Sequence, residues 1–330
     1  AVSLSNCTAS LHLALKAVGV GKSDEVIVPS LTFVATVNSV RYLNAKPIFC
    51  DVTNCNDLTL DTKLIEPLIN EKTKAIIVMH YAGYSCDMKK INDMAKKYDL
   101  SVIEDACHAP LSEFGNKKLG SIGDIGCFSF FSNKNISTAE GGMLVTDNAD
   151  IFEKVKLNRS HGMTSLSYDR SRGHSTSYDV IEFGYNYRMD DLRASLGIVQ
   201  LKKLEGDIQV RSKVRRKYIK SLSGLSKVII PFKANINKSS NYIFPIVLKD
   251  SSVNIRDQIR FYLDSKGIQT SVHYPAVHRF SIYNSNKIKL PVSEYVSDNL
   301  ITLPMYSSLT NLEVDYICNE LSNALKIYHI

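Results

Sequence analysis

The first half of this 330-residue chain alternates two hydrophobic patterns, and few folds accept that alternation. Short apolar runs at 26–28, 47–50, 75–80 and 102–105 read as strands. Between them, residues 8–18, 32–43, 60–70 and 88–98 carry apolar side chains at helical spacing. Thr8, Thr32 and Asp87 stand where N-caps accept the first amides of a helix. Strands separated by helices return in the same direction and pair in parallel, so the pattern predicts an α/β fold, a mainly parallel sheet with helices on both faces. In such a sheet ligands gather beyond the carboxyl ends of the strands, where His80 and Asp105 both fall.

The second half reads differently. A helix is expected over 149–158, then a polar segment at 161–179, then a long helical region at 190–222 broken near Gly206. Strands at 228–231, 242–248 and 268–273 mix with helices at 255–266 and 311–327, the pattern of a smaller α+β domain. The expected division is a large domain over 1–205 and a small one over 206–330 that includes part of the connecting helix. A hydrophobic content of 44% suffices for cores of that size. The net charge, 40 − 33 = +7, suits an anionic substrate but does not specify one. The basic run Arg211-Ser212-Lys213-Val214-Arg215-Arg216-Lys217 reads as a solvated helix face, and no nucleic-acid motif accompanies it. Seven cysteines without a paired-ligand spacing predict reduced thiols in a cytoplasmic protein, not a disulfide framework or a zinc site. No apolar run reaches the roughly 18 residues of a membrane span.

The chemistry concentrates between Ser101 and Asp147. The strand VIED delivers Asp105, with His108 three residues on; a second apolar strand, 127–131, delivers Lys134, followed by a Gly-Gly turn. An acid and a lysine, each just past a strand, are what a pyridoxal phosphate site needs. The lysine forms a Schiff base, and the acid keeps the pyridine nitrogen protonated so that the ring takes up electrons. Shelter by the apolar FSFF run predicts a depressed pKa for Lys134. His108 reads either as a satisfied core histidine or as a group that bonds the phenolic oxygen of the coenzyme or covers its ring. Ser5 to Ser10 open a helix with small residues, which makes either an ordinary N-cap or a phosphate cradle. Ser129 could add a hydroxyl there, and Phe33 is either core or a stacking platform.

The segments SNCTASLHLAL, DEVIVPSLTFVAT, VIEDACHA, FSFFSNKNISTAEGGMLVTD, FGYNYRMDDLRASLG and VHYP together resemble the DegT/DnrJ/EryC1/StrS family of sugar aminotransferases. The likeness runs in order from Ser5 to about Tyr316. It implies a fold-type I pyridoxal phosphate enzyme with a seven-stranded sheet. By this resemblance Lys134 matches the Schiff-base lysine, Asp105 the partner of the pyridine nitrogen, and His108 a position near the coenzyme held by Gln or His. Phe33 matches the aromatic that stacks on the ring, and Thr8, Ala9 and Ser129 match the phosphate cradle. Asn186 matches an asparagine that reaches the phosphate of the other subunit, which implies a homodimer with a shared active site. The implied substrates are a nucleotide-linked deoxysugar bearing a keto group and L-glutamate as amino donor. The polar segment at 161–179 and His273-Tyr274-Pro275 are the expected sugar-nucleotide contacts. A sugar dehydratase of this scaffold carries a histidine in place of Lys134, and a coenzyme-binding regulator would not turn over a donor. Cys7 stands where many relatives have glycine. Relatives also extend several tens of residues before SNCTAS, which predicts a truncated N-terminus.

Overall fold

A computed structural model describes residues 1–164, 177–284 and 288–329. Most of the polar segment at 161–179 therefore lies outside the described residues. The first half supplies β1 (Val2–Leu4), β2 (Glu25–Pro29), β3 (Lys46–Cys50), β4 (Val52–Asn54), β5 (Asp57–Leu60), β6 (Thr73–Met79), β7 (Ser101–Asp105), β8 (Glu113–Phe114), β9 (Lys117–Lys118), β10 (Ile125–Ser129) and β11 (Gly142–Val145). Seven of these form one sheet in the order β1-β11-β10-β7-β6-β2-β3. The strands β10, β7, β6, β2 and β3 are parallel neighbours, and β11 runs antiparallel between β10 and β1.

Alternate residues of the central strands feed two cores, as the two-residue period of a strand requires. Val26, Val28, Ile77 and Ile103 face α1 (Cys7–Ala17) and α2 (Val34–Tyr42), which bring Leu11, Leu15, Val37 and Val40. Ile27, Ile76, Val78 and Val102 face the other way, onto Met88, Ile91 and Ala95 of α3 (Met88–Tyr98). The helix α4 (Ala149–Arg159) adds Ile151 and Val155 to the first core. Each fully buried Val, Leu or Ile contributes about 1.5–3 kcal/mol, so the paired layers outweigh the modest helix propensity of α2. The seven-stranded, mainly parallel sheet with helices on both faces is thus present.

The rest of the chain forms α5 (Asp191–Leu222), β12 (Val228–Ile229), α6 (Val253–Ser265), α7 (Pro291–Asn299) and α8 (Asn311–Ile327) with β13 (Phe244–Leu248) and β14 (Leu300–Leu303). The three strands make an antiparallel sheet, β12-β13-β14. Its core gathers Tyr218, Ile246, Ile259, Leu263, Ile301 and Leu321. The two sheets are tied at Asp51, just past β3, whose carboxylate accepts the Val292 and Ser293 amides at 3.0 and 2.7 Å and so caps α7.

Several local expectations fail for identifiable reasons. Residues 60–70 do not form a helix. Asn54 accepts the Asn56 and Asp57 amides, turning the chain into a β4–β5 hairpin, and a short 3₁₀ turn follows at Glu66–Leu68. The helix α5 does not break at Gly206. One glycine costs about 1 kcal/mol relative to alanine, and the buried row Leu204, Ile208, Arg211, Val214, Tyr218 and Leu222 outweighs it. Asn6, not Thr8, caps α1, and Thr32 is spent on Thr36, whereas Asp87 caps α3 as expected. The strand at 268–273 reduces to one bridge, Ser271 with Thr302. Part of the basic run is not solvated: Arg211 is buried, bonded to Asp207 and to the carbonyls of Tyr242 and Met305.

Beneath the sheet's carboxyl end lies Glu104, which is fully buried. Its Oε1 accepts the Ile122 and Gly123 amides at 2.6 and 2.7 Å, and its Oε2 accepts the Gly120 amide at 2.7 Å and His80 Nε2 at 2.8 Å. His80 Nδ1 accepts the Cys86 amide, so the Nε2 proton points to Glu104. Burial opposes the charge on Glu104, but the His80 bond and the Gly123 and Gly120 amides outweigh it and hold its pKa below the ordinary value. A lowered folded pKa gives stability that is present above the unfolded value and is lost as pH falls through the folded one. Glu104→Gln turns an amide NH₂ toward backbone N–H donors, so the unfolding free energy should fall by about 2–4 kcal/mol. Denaturation curves from pH 7 to pH 3 should also be flatter for the variant than for the wild type. Equal curves would show that the charge contributes nothing.

Candidate active site

A cavity of about 1000 Å³ opens at the carboxyl ends of β7 and β10. Asp105 ends β7 and lies 3% exposed in its wall. A buried carboxylate needs partners. Thr36 Oγ1 donates to its Oδ2 at 2.7 Å, and the Cys107 amide donates to Oδ1 at 3.2 Å. Thr36 is in turn bonded to Thr32, one helical turn back, at 2.9 Å. The carboxylate is thereby braced on one side and left open toward the cavity.

Lys134 follows β10 and lies half-buried in the same wall, with Nζ 4.3 Å from the centre of the Tyr242 ring. Its amine is held above the ordinary lysine value, not below it as the sequence suggests. Burial pulls it down, but Cys107, Tyr242 and Asp105 together pull it up further. Burial keeps both Cys107 and Tyr242 protonated.

The N-terminus of α1 forms another wall. The Asn6 side chain takes the Ala9 amide at 2.8 Å, and the Asn6 carbonyl takes that of Ser10. Among the described residues the Cys7 and Thr8 amides are then left without an acceptor in the first turn, where the helix dipole favours an anion. Ser129, at the end of β10, lines the same cavity. Ala9 is buried and its amide is spent, so it offers only its backbone shape. Gly142 permits this closeness. It pairs with Leu4 across β11 and β1, and a Cβ there would sit 2.4 Å from the Asn6 carbonyl. Phe33, at 54% exposure, is a lip of the cavity and not core.

Two expected residues lie apart. His108 is fully buried outside the lining, with Nε2 2.8 Å from the Tyr274 hydroxyl and Nδ1 accepting the Ala82 amide. Asn186 is exposed and forms an edge bridge with Ser160, away from the lining. The expected His273 and Tyr274 do line the cavity, and Pro275 borders an adjoining groove. Sequence reasoning missed Thr36, Tyr242 and His12. The Thr32/Thr36 spacing was a usable signal; Tyr242, far along the chain, gave none. His12 sits one turn along α1 from Thr8, edge-on to Tyr42, Tyr185 and Tyr187. Burial, aided by Lys16, lowers its pKa to about 4, and burial with Lys134 lowers that of His273 to about 4. Both are neutral near pH 7.

Together these groups offer one amine, one buried carboxylate, a helix N-terminus for an anion and an aromatic lip. Gly142→Ala should drive the α1 N-terminus off β11, weakening capture of a phosphate-bearing coenzyme by at least about tenfold. A fluorescence titration checks this, and unchanged affinity would show that the cradle lies elsewhere.

The chain is similar to known proteins over nearly its whole length. GDP-perosamine synthase of Escherichia coli O157:H7 is 36% identical over 326 residues, 98% of this chain and 85% of that protein. Spore coat polysaccharide biosynthesis protein SpsC of Bacillus subtilis is 34% identical over 333 residues, 99% and 85% of the two chains. The PMP-form of Spr1654 from Streptococcus pneumoniae superposes with a TM-score of 0.92 at 29% identity, covering 99% of this chain and 88% of that one. The model of the DegT/DnrJ/EryC1/StrS aminotransferase family matches residues 1–322, and this chain belongs to that family.

Proposed function

We propose that this chain transfers an amino group from L-glutamate to a keto group on a nucleotide-linked deoxysugar, using pyridoxal 5′-phosphate, in the making of a surface polysaccharide or another amino sugar. The observation that carries the reading is the meeting of Lys134, Asp105 and the α1 N-terminus in one cavity. Membership of an aminotransferase family, and relatives named for a GDP-linked sugar and for a coat polysaccharide, support the substrate class.

The donor set fits the coenzyme. The gap that only glycine allows at position 142 brings the Cys7 and Thr8 amides to the cavity wall, where Ser129 can share a phosphate with them. Asp105, with Thr36 behind it, would hold a proton on the pyridine nitrogen. Phe33 would cover the ring. Bound pyridoxal phosphate supplies an electron sink and carries the amino group between the two substrates. Lys134 Nζ would anchor it and, once free, would move the proton at the donor Cα as general base and acid. The cavity exceeds the coenzyme in volume, which leaves room for a sugar beside Lys134.

A homodimer suits the surface. Phe183 is 93% exposed and Leu192 81%, and Leu196, Ile198, Val199 and Leu201 are exposed on the first turns of α5. So large an apolar face is the mark of an interface. Asn186 lies in the same stretch, and in such a dimer it would reach a second copy's site. A Phe183→Glu/Leu192→Glu variant should sediment as monomer and lose turnover; a variant that remains dimeric would mean that another face makes the contact.

The reading is tested by absorbance. Purified protein should develop the visible band of bound coenzyme and lose it on addition of L-glutamate. Lys134→Ala should bind coenzyme without donor turnover. Full donor reactivity in that variant would remove Lys134 from its role, and a band indifferent to glutamate would point to another donor.

A further inference from the structure

Four side chains stand in series from the amine to the far wall of the cavity. Lys134 Nζ lies 4.3 Å from the Tyr242 ring centre, the Tyr242 ring lies 4.3 Å from that of His108, and the His108 ring stacks on Tyr274 at 5.8 Å. The other three line the cavity, and His108 does not. The one buried imidazole of the series thus has no surface with which to meet a ligand, and it touches two tyrosines that do.

Its hydrogen bonds fix what it does to them. The Ala82 amide donates to His108 Nδ1 at 3.3 Å, which puts the imidazole proton on Nε2. Burial, with Lys134 and His273 nearby, keeps the ring neutral, so no second proton arrives on Nδ1. Nε2–H then donates to the Tyr274 hydroxyl oxygen at 2.8 Å. Tyr274 is itself kept protonated by burial. Its own hydrogen is left for another acceptor, and among the described residues none is seen. The cavity is where one can arrive.

We infer that Tyr274 is the hydrogen-bond donor to the phenolic oxygen of the bound coenzyme, and that His108 acts one step back, as the positioning residue that fixes Tyr274 as a donor. This moves the contact expected of His108 onto a residue of the second half of the chain. It rests on the coenzyme reading of the cavity.

The test is a double-mutant cycle on coenzyme binding in the full chain. His108→Asn keeps an acceptor near the Nδ1 position but cannot reach Tyr274, whereas His108→Gln keeps a donor near the Nε2 position. Tyr274→Phe removes the hydroxyl alone. His108→Asn and Tyr274→Phe should each weaken pyridoxal phosphate binding by roughly five- to fifteen-fold, one hydrogen bond's worth. The double variant should be no weaker than either single one. His108→Gln should bind nearly as the wild type does. The pH-dependent absorbance of the bound coenzyme should titrate at higher pH in both weakened variants, because the phenolic oxygen loses a donor; a merely structural loss would not move it. Thermal unfolding midpoints exclude variants that fail to fold, and Tyr274→Phe, which deletes one atom, carries the test if His108→Asn is among them. Effects that multiply in the double variant would mean that His108 meets the coenzyme itself and would overturn the inference. So would Tyr274→Phe with unchanged affinity and titration. A wild-type protein that takes up no coenzyme would overturn the functional reading, and this inference with it.

Discussion

The site depends on a carboxylate that never reaches it. Glu104 and Asp105 are neighbours on β7, and consecutive residues of a strand point to opposite faces. Fixing one fixes the other. Glu104 is held by three backbone amides and His80, and those amides belong to the turn that leads into β10. The same carboxylate therefore sets the end of the strand that carries the acid and the entry of the strand that leads to the lysine. The packing there is close: a Cβ on Gly126 would lie 1.9 Å from the Gly120 carbonyl oxygen, so the turn rests directly on β10. A buried carboxylate with this many donors resists displacement, because any one lost bond leaves the charge under-satisfied.

Above it, the electrostatics of the cavity are kept simple. Three histidines lie in or behind the wall, and burial holds each of them neutral. The cysteines beside Asp105 are held as thiols by burial and by Asp105 itself. The sheltered Lys134 amine is nonetheless held above its ordinary pKa, with Cys107, Tyr242 and Asp105 together outweighing burial. In the proposed reading a pyridinium nitrogen beside Asp105 would oppose that pull and ease the amine toward its nucleophilic form.

How much of this could be read from the chain depends on how far apart the partners are. The parallel sheet was legible because each strand carries its own apolar run and each helix its own spacing. Lys134 and Asp105 were legible because strand ends in such a sheet face one crevice. What escaped was set by tertiary contact. Residues 60–70 have helical spacing, but Asn54 and Pro67 impose turns first. Pro291 followed by an LITL run signalled α7 and β14, a signal passed over. Glu104 sat in plain view beside Asp105, yet nothing local distinguishes a carboxylate that faces a turn from one that faces solvent. Arg211 hid in a basic run because its partners are the carbonyls of Tyr242 and Met305, distant in sequence.

The division of labour follows the two sheets. The parallel sheet provides the floor: Asp105, Ser129, Lys134 and the α1 N-terminus, the groups that the proposed function gives to the coenzyme. The segments around the second sheet provide Tyr242, His273 and Tyr274, which close the cavity over it. The halves are joined where Asp51 caps α7 and where the Tyr81 hydroxyl donates to the His273 carbonyl. A fold arranged in this way can alter its second set of walls, and with them the sugar it admits, while the Glu104 anchor keeps the acid and the lysine in register.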